Sequence, residues 1–270
     1  MRRREVNVMN DGFSIELSKD EFYVLLGHFG PATVLGMAHP FRGLLSDEIA
    51  LATSKALQSL LGRNLVSIGD GEVLVDSALE SVIQICAHPE HSLIVQLQRI
   101  GEAEQHFIIH FHGTTILKQV EFEPGLYRLT VIEDQNELLS WFVELLQLDS
   151  NHLGEGNPLS LDELLLFEAR AMCIEDQRAE VCKRLEKAGF KEEQYTALVN
   201  TLTAPLTNAS FALISNRDKL ERQYVRGFAV LESEEYLWIL HPLDDLDRRR
   251  VNIIPATSEM VWNRFETMLP

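Results

Sequence analysis

A stretch that occurs twice constrains this chain most. Leu17-Ser18-Lys19-Asp20-Glu21-Phe22-Tyr23-Val24-Leu25 is echoed by Leu159-Ser160-Leu161-Asp162-Glu163-Leu164-Leu165-Leu166-Phe167. Each copy carries Ser, then Glu three residues later, then an apolar run. That is a capping box, in which the hydroxyl and the carboxylate each take an orphan amide at a helix start. Both copies lead through further helical sequence to an X-Pro step, Ala87-His88-Pro89 and Thr203-Ala204-Pro205. Both then run through strand-like segments and close on an apolar helix, Asp134 to Leu148 and Thr257 to Leu269. Similarity in a fixed order reads as duplication. The expected fold is α+β: a duplicated helix–antiparallel sheet–helix unit forming a quasi-twofold single domain, with a central sheet and flanking helices. The halves are 13–148 and 159–270, joined by a linker at 149–158.

In the first half, a short strand from Phe13 to Leu17 precedes a helix from Lys19 to about His28. Ser46-Asp47-Glu48 opens a second helix that Gly62 ends. Leu65 to Val75 holds two apolar arms around Gly69-Asp70-Gly71, a tight-turn signature. Asp76 caps a third helix through Cys86. Strands are expected at Leu93–Gln98, Gln105–His112, Ile116–Glu121 and Leu126–Ile132, punctuated by Gly101, Gly113 and Pro124-Gly125. The short connections make this meander antiparallel.

In the second half, helices are expected from Ser160, over Asp176–Ala188 and over Glu192–Thr203. Strands are expected at Ser210–Asn216, Gln223–Leu231, Tyr236–Leu240 and Val251–Ile254. From Leu-Ser to X-Pro takes 72 residues in the first copy and 46 in the second. The loop near Pro40 and the Gly-Asp-Gly hairpin account for the surplus.

Charge narrows the function. The formal net charge is -17. Duplex DNA carries dense negative charge, so binding it needs a local basic patch. The available clusters are Arg2-Arg3-Arg4 and Arg248-Arg249-Arg250, and the second follows Asp244, Asp245 and Asp247. The hairpin tip is acidic where a reading wing needs donors, which counts against a winged-helix regulator. Three cysteines, Cys86, Cys173 and Cys182, give no disulfide framework. No secretory signal and no apolar run of membrane-spanning length is expected, which points to a cytoplasmic protein.

One pattern points to metal chemistry. On a strand, His106, His110 and His112 share a face, and a His-x-His pair can grip zinc or iron. Phe107, Ile109 and Phe111 point the other way, so the histidines equally describe a solvated face over a core-facing one. No phosphate loop, HExxH, GxSxG or CxxC is present. The expectation is a protein that is not an enzyme, with no cofactor and no bound metal; a metal-dependent enzyme or sensor using these histidines is the alternative.

The whole pattern resembles the EspG family, cytosolic chaperones of ESX (type VII) secretion. The resemblance rests on Leu17-Ser18-x-x-Glu21-Phe22-x-x-Leu25 and on the helix and hairpin before Ala78-Leu79. It also rests on Cys86-Ala87-His88-Pro89-Glu90, where the family tends to show Leu-Ala-Arg-Pro-Glu, and on the strand Leu93-Ile94-Val95-Gln96-Leu97. It spans roughly Phe13 to Leu269. It implies a cytosolic chaperone-like binding protein that holds a helical, PE–PPE-like secretion substrate soluble. No nucleic acid or membrane partner is implied.

A docking site is readable on the first helix of the second half. Leu164, Leu165, Leu166 and Phe167 are consecutive, and successive helical positions step by about 100°, so they surround the axis. Met172 and Ile174 extend the excess, as does Leu161. Two explanations stand: burial among the helices of the same half, or a surface that receives a partner's helical bundle. The expected partner-binding residues are Leu164, Leu165, Phe167 and Met172, with Tyr224, Arg226 and Phe228 on an adjoining strand face.

Overall fold

The computed structural model describes residues 12–30, 34–37, 39–152, 154–155, 157–215, 223–243 and 249–270. The arginine cluster at 2–4, the acidic run at 244–247 and Arg248 lie outside these.

The first half begins with β1 (Ser14–Ser18), whose buried Ile15 and Leu17 alternate with half-exposed Glu16. It runs straight into α1 (Lys19–Gly27), capped by Ser18 in the predicted box with Glu21. Next come α2 (Ser46–Gly62), the hairpin β2 (Val66–Gly69) and β3 (Glu72–Val75), and α3 (Ser77–Ala87). At the hairpin tip Asp70 and Gly71 both have positive φ, 52° and 83°. That is the type I′ geometry that a Gly-Asp-Gly turn favours. The meander follows as β4 (His91–Arg99), β5 (Gln105–His112), β6 (Thr115–Glu123) and β7 (Leu126–Ile132), then α4 (Gln135–Leu146).

The second half begins with β8 (Leu159–Asp162), then α5 (Glu163–Ile174), α6 (Arg178–Lys187) and α7 (Glu192–Thr203). It ends with β9 (Thr207–Ser215), β10 (Gln223–Glu232), β11 (Leu237–Leu243), β12 (Arg250–Pro255) and α8 (Ser258–Met268). The expected second helix starts at Arg178 rather than Asp176, because Asp176 sits at φ 59° in the preceding turn.

The fold is α+β with a large antiparallel sheet. Its described residues fall into two compact units, one made of those within Met1–Leu93, His106–Leu138 and Ile214–Gln223, the other of the remainder. In the first, strands hydrogen-bond in the order β1-β7-β6-β5, with the start of β4 beside β5. In the second, the rest of β4 leads the order β4-β9-β10-β11-β12-β8. Each half of the sequence therefore runs the same course: an edge strand, three helices, then a meander whose last strand returns to pair with the first.

The register of that correspondence differs from the one expected. Ser160 does not cap a helix. Leu159, Ser160, Leu161 and Asp162 alternate buried and open, pair with β12, and Asp162 caps α5 by accepting from the Leu164 amide at 2.9 Å. The Lys19 amide bonds Gly125 O and the Glu163 amide bonds Arg249 O, both as the edge strand ends. Lys19 thus matches Glu163, and Ser18 matches Asp162, an offset of 144 positions. The literal echo of Ser18 in Ser160 is displaced from it by one strand repeat. Period-2 burial on a paired edge outweighs a local cap signal.

In the first unit the core gathers Leu17, Phe22, Leu25, Leu60, Leu79, Ile83, Leu117 and Leu129. The capping-box carboxylate crosses it. Glu21 is 4% exposed. It accepts from the Ser18 amide (2.7 Å), Ser59 Oγ (2.8 Å) and Arg63 Nη1 (3.0 Å), so one side chain caps α1 and ties it to α2. Glu48 at α2 only returns to the Leu45 amide at 2.8 Å and is exposed, and Leu45 itself has no oxygen with which to complete a box. We expect Glu21→Ala to cost about 2–4 kcal/mol, since it strands several donors at once. Glu48→Ala should cost under about 1 kcal/mol. Urea midpoints of the two variants check this; equal losses would reject the bridging role.

In the second unit, Phe142 of α4, Phe211 of β9 and Phe265 of α8 pack on one sheet face. Leu166, Ala169 and Cys173 of α5 pack with Val181, Leu185, Leu198 and Leu202 of α6 and α7.

Candidate partner-binding surface

The strand-to-helix step at Asp162 sets which way α5 faces. Its residues divide into two stripes. Leu166, Ala169 and Cys173 are buried against α6 and α7. Opposite them, Leu164, Phe167 and Ile174 are 65%, 60% and 73% exposed. Positions 164, 167, 171 and 174 fall at helical spacing, so these side chains form one apolar stripe open to solvent. Leu165 and Met172 are half-buried and pack on the flank of the α5–α7 core, and Leu161 is buried within β8. The all-round apolar character therefore has two causes. Leu161, Leu165, Leu166 and Met172 serve the core; Leu164, Phe167 and Ile174 do not.

Beside the stripe lies a cleft of about 460 Å³. Leu166, Phe167, Arg170 and Glu163 form its α5 wall. Gln96 and Gln98 of β4 and Asn208 and Ser210 of β9 line it from the sheet, with Leu231 and Leu240 from the strands beyond. Gln96 meets Ser210, whose hydroxyl donates at 3.1 Å, while the Ile100 amide donates to Leu206 O, so β4 and β9 run antiparallel there. The cleft joins an apolar wall to carboxamides and to charges of both signs, including Glu104 at its rim. Such a mixture suits a protein surface presenting an apolar anchor and backbone polar groups. The glutamines carried no functional signal in the sequence beyond strand alternation.

The adjoining strand residues also make internal contacts. Arg226 donates to Thr267 O (3.0 Å) and Leu269 O (3.3 Å), satisfying carbonyls at the end of α8. Phe228 is buried and stacks 4.8 Å from Phe211, although it also borders the cleft with Phe167. Arg226 thus braces the end of α8, while Phe228 forms part of the cleft's inner wall. Tyr224 lies in β10, and its side chain is outside the described residues.

The histidine strand is not a solvated face. His106 and His112 are exposed, but His110 is fully buried. Ser92 Oγ donates to His110 Nδ1 (3.0 Å), His110 Nε2 donates to Gln119 Oε1 (3.1 Å), and Gln119 Nε2 donates to Leu35 O (3.0 Å). Burial holds His110 at about 4, below its ordinary 6.5, although its bond to Gln119 works the other way. The loop at 34–37 closes this face: a Cβ on Gly36 would come within 2.2 Å of Ile108 Cδ1. Among the described residues no three His, Cys, Asp or Glu converge as a metal site. Burial pushes the Cys86 and Cys173 thiols up, away from the thiolate form a nucleophile needs.

The start of the expected linker is anchored. His152 is buried, with Nδ1 3.0 Å from Asp149 O and Nε2 3.0 Å from Ser233 O, while Glu232 takes the Asp149 amide at 2.9 Å.

Among the described residues no helix is long and apolar enough to cross a membrane. No family model matches the chain, and no curated protein sequence matches it. Among solved structures it is similar to the Mycobacterium tuberculosis type VII secretion system chaperone EspG5, in a structure of that protein in complex with the PE25-PPE41 dimer. The two are 14% identical with a TM-score of 0.63, over 92% of this chain and 93% of that one. At that identity the likeness is one of architecture: the chain has an EspG-like fold.

Proposed function

We propose that this protein is a cytoplasmic, non-enzymatic chaperone that holds a helical secretion substrate of PE–PPE type soluble for type VII secretion. The observation that carries this reading is the open stripe Leu164, Phe167 and Ile174 beside a mixed apolar and carboxamide cleft. Large apolar side chains left open at helical spacing gain most when a partner covers them. The fold supports the same reading, because EspG5 is a chaperone whose structure was determined with a PE25-PPE41 dimer. Its two halves, 13–148 and 159–270, are read as copies of one unit, of which the second supplies the docking helix.

The test is co-purification with PE–PPE-type helical pairs from the same genome. Leu164→Glu combined with Phe167→Glu alters only exposed side chains, so the variant should fold normally by circular dichroism. Its binding should fall at least roughly tenfold, as when an anchor of an interface core is lost. Undiminished binding would move the site elsewhere. Failure of the wild-type protein to bind any such pair would reject the substrate class.

A further inference from the structure

Among the described residues, β1 in the first unit and β8 in the second each have one side without a neighbouring strand. In an antiparallel ladder, alternate residues turn both backbone groups toward the partner or away from it. In β1, Phe13 O accepts from the Val131 amide at 2.9 Å, so Ile15 and Leu17 face β7 while Glu16 and Ser18 face outward. In β8, the Glu163 amide bonds Arg249 O at 2.9 Å, so Leu161 faces β12 while Ser160 and Asp162 face outward. An outward row of this kind is a template for another strand.

At both edges an arginine occupies the outward carbonyl. Arg63 Nη2 donates to Glu16 O at 2.6 Å, and Arg250 Nη2 donates to Ser160 O at 2.9 Å. Glu16 and Ser160 are equivalent under the 144-residue offset. The arginines are not equivalent: Arg63 is the C-cap of α2, and Arg250 reaches over from the neighbouring strand β12. Two unrelated side chains meeting one backbone position indicate that the requirement lies in the carbonyl. In β1 the next outward donor, the Ser18 amide, is also taken, by Glu21 at 2.7 Å.

We infer that Arg63 and Arg250 are edge guards that keep a second copy of this chain from adding a strand to the sheet. A second copy is the intruder these edges match best. It carries strands of the same length and the same alternation, Ile15 and Leu17 or Leu159 and Leu161, and it is always present at the protein's own concentration. An incoming strand needs the outward carbonyl as an acceptor for its own amide, and a guanidinium there both consumes it and places a charge in the path.

Arg250 is exposed, so Arg250→Met should leave the fold intact. Arg250→Lys keeps the charge and a donor and serves as the conservative rescue. Sedimentation over a concentration series should show Arg250→Met associating, with a mass above that of the wild type and rising toward twice it. Arg250→Lys should track the wild type. Adding Arg63→Met should strengthen association, although that change alone also unpairs Glu21. As a second measurement, a synthetic peptide of residues 157–164 should bind Arg250→Met at least tenfold more tightly than the wild type. A folded Arg250→Met variant with the wild-type mass throughout and no gain in peptide binding would overturn the inference.

Discussion

Replacing Phe142 with alanine is expected to lower stability by about 3–5 kcal/mol, the range for deleting a fully buried aromatic ring. Phe142 is 0% exposed. Its ring centroid lies 3.8 Å from that of Phe265, 5.8 Å from Phe211 and 4.7 Å from Trp141. Phe211 in turn packs on Phe228 and Phe265, so the cavity would open at the centre of a ring cluster. The neighbouring Val143 is 48% exposed, and Val143→Ala should cost less than about 1 kcal/mol. Urea unfolding followed by tryptophan fluorescence compares the two, since Trp141 reports directly on the cluster. A Phe142→Ala loss as small as that of Val143→Ala would mean that the cluster is loosely packed.

The second large effect is a pH dependence. His110 titrates near 4 in the fold against 6.5 ordinarily, because burial opposes its charged form. Between those values the unfolded chain binds the proton and the folded one does not. Stability from this residue is therefore complete above pH 6.5 and is lost as pH falls toward 4. The shift corresponds to about 3 kcal/mol. His110→Gln should be less stable than wild type at pH 7, and the gap should close by about that amount by pH 4. Carboxylates common to both proteins drop out of the difference. A constant gap would mean that the ring takes up its proton inside the fold. Ser92, His110 and Gln119 connect β4, β5 and β6 to the loop carbonyl of Leu35, so acid should loosen that loop first.

Much of this architecture is legible one residue at a time. The cap at Ser18, the Asp76 cap, the Gly-Asp-Gly turn and the X-Pro stops each state a local backbone requirement, and the structure meets them. The matching order of elements also emerges, because alternation and helical spacing survive where identity does not. β8 was hidden for the opposite reason. Leu-Ser-Leu-Asp satisfies a helix-start signature and a four-residue strand equally well, and only pairing with β12 selects the strand.

The exposed stripe of α5 shows the same division. Leu164 to Phe167 announce an excess of apolar surface on α5, which the sequence alone determines. Which of them faces water depends on how α6 and α7 cover the helix, and that assigns Leu166 to the core and Leu164 and Phe167 to the open side. Likewise, alternation places His106, His110 and His112 on one face, but the loop at 34–37 that closes over His110 lies far upstream in the chain, where Leu35 O takes the Gln119 side-chain amide. Local sequence determines backbone conformation and the side on which a residue projects, because those are set by nearest neighbours. Burial, charge state and the fate of an edge carbonyl were decided by the tertiary structure, because each depends on a side chain distant in the chain, as Arg63 is from Glu16 and Arg250 from Ser160.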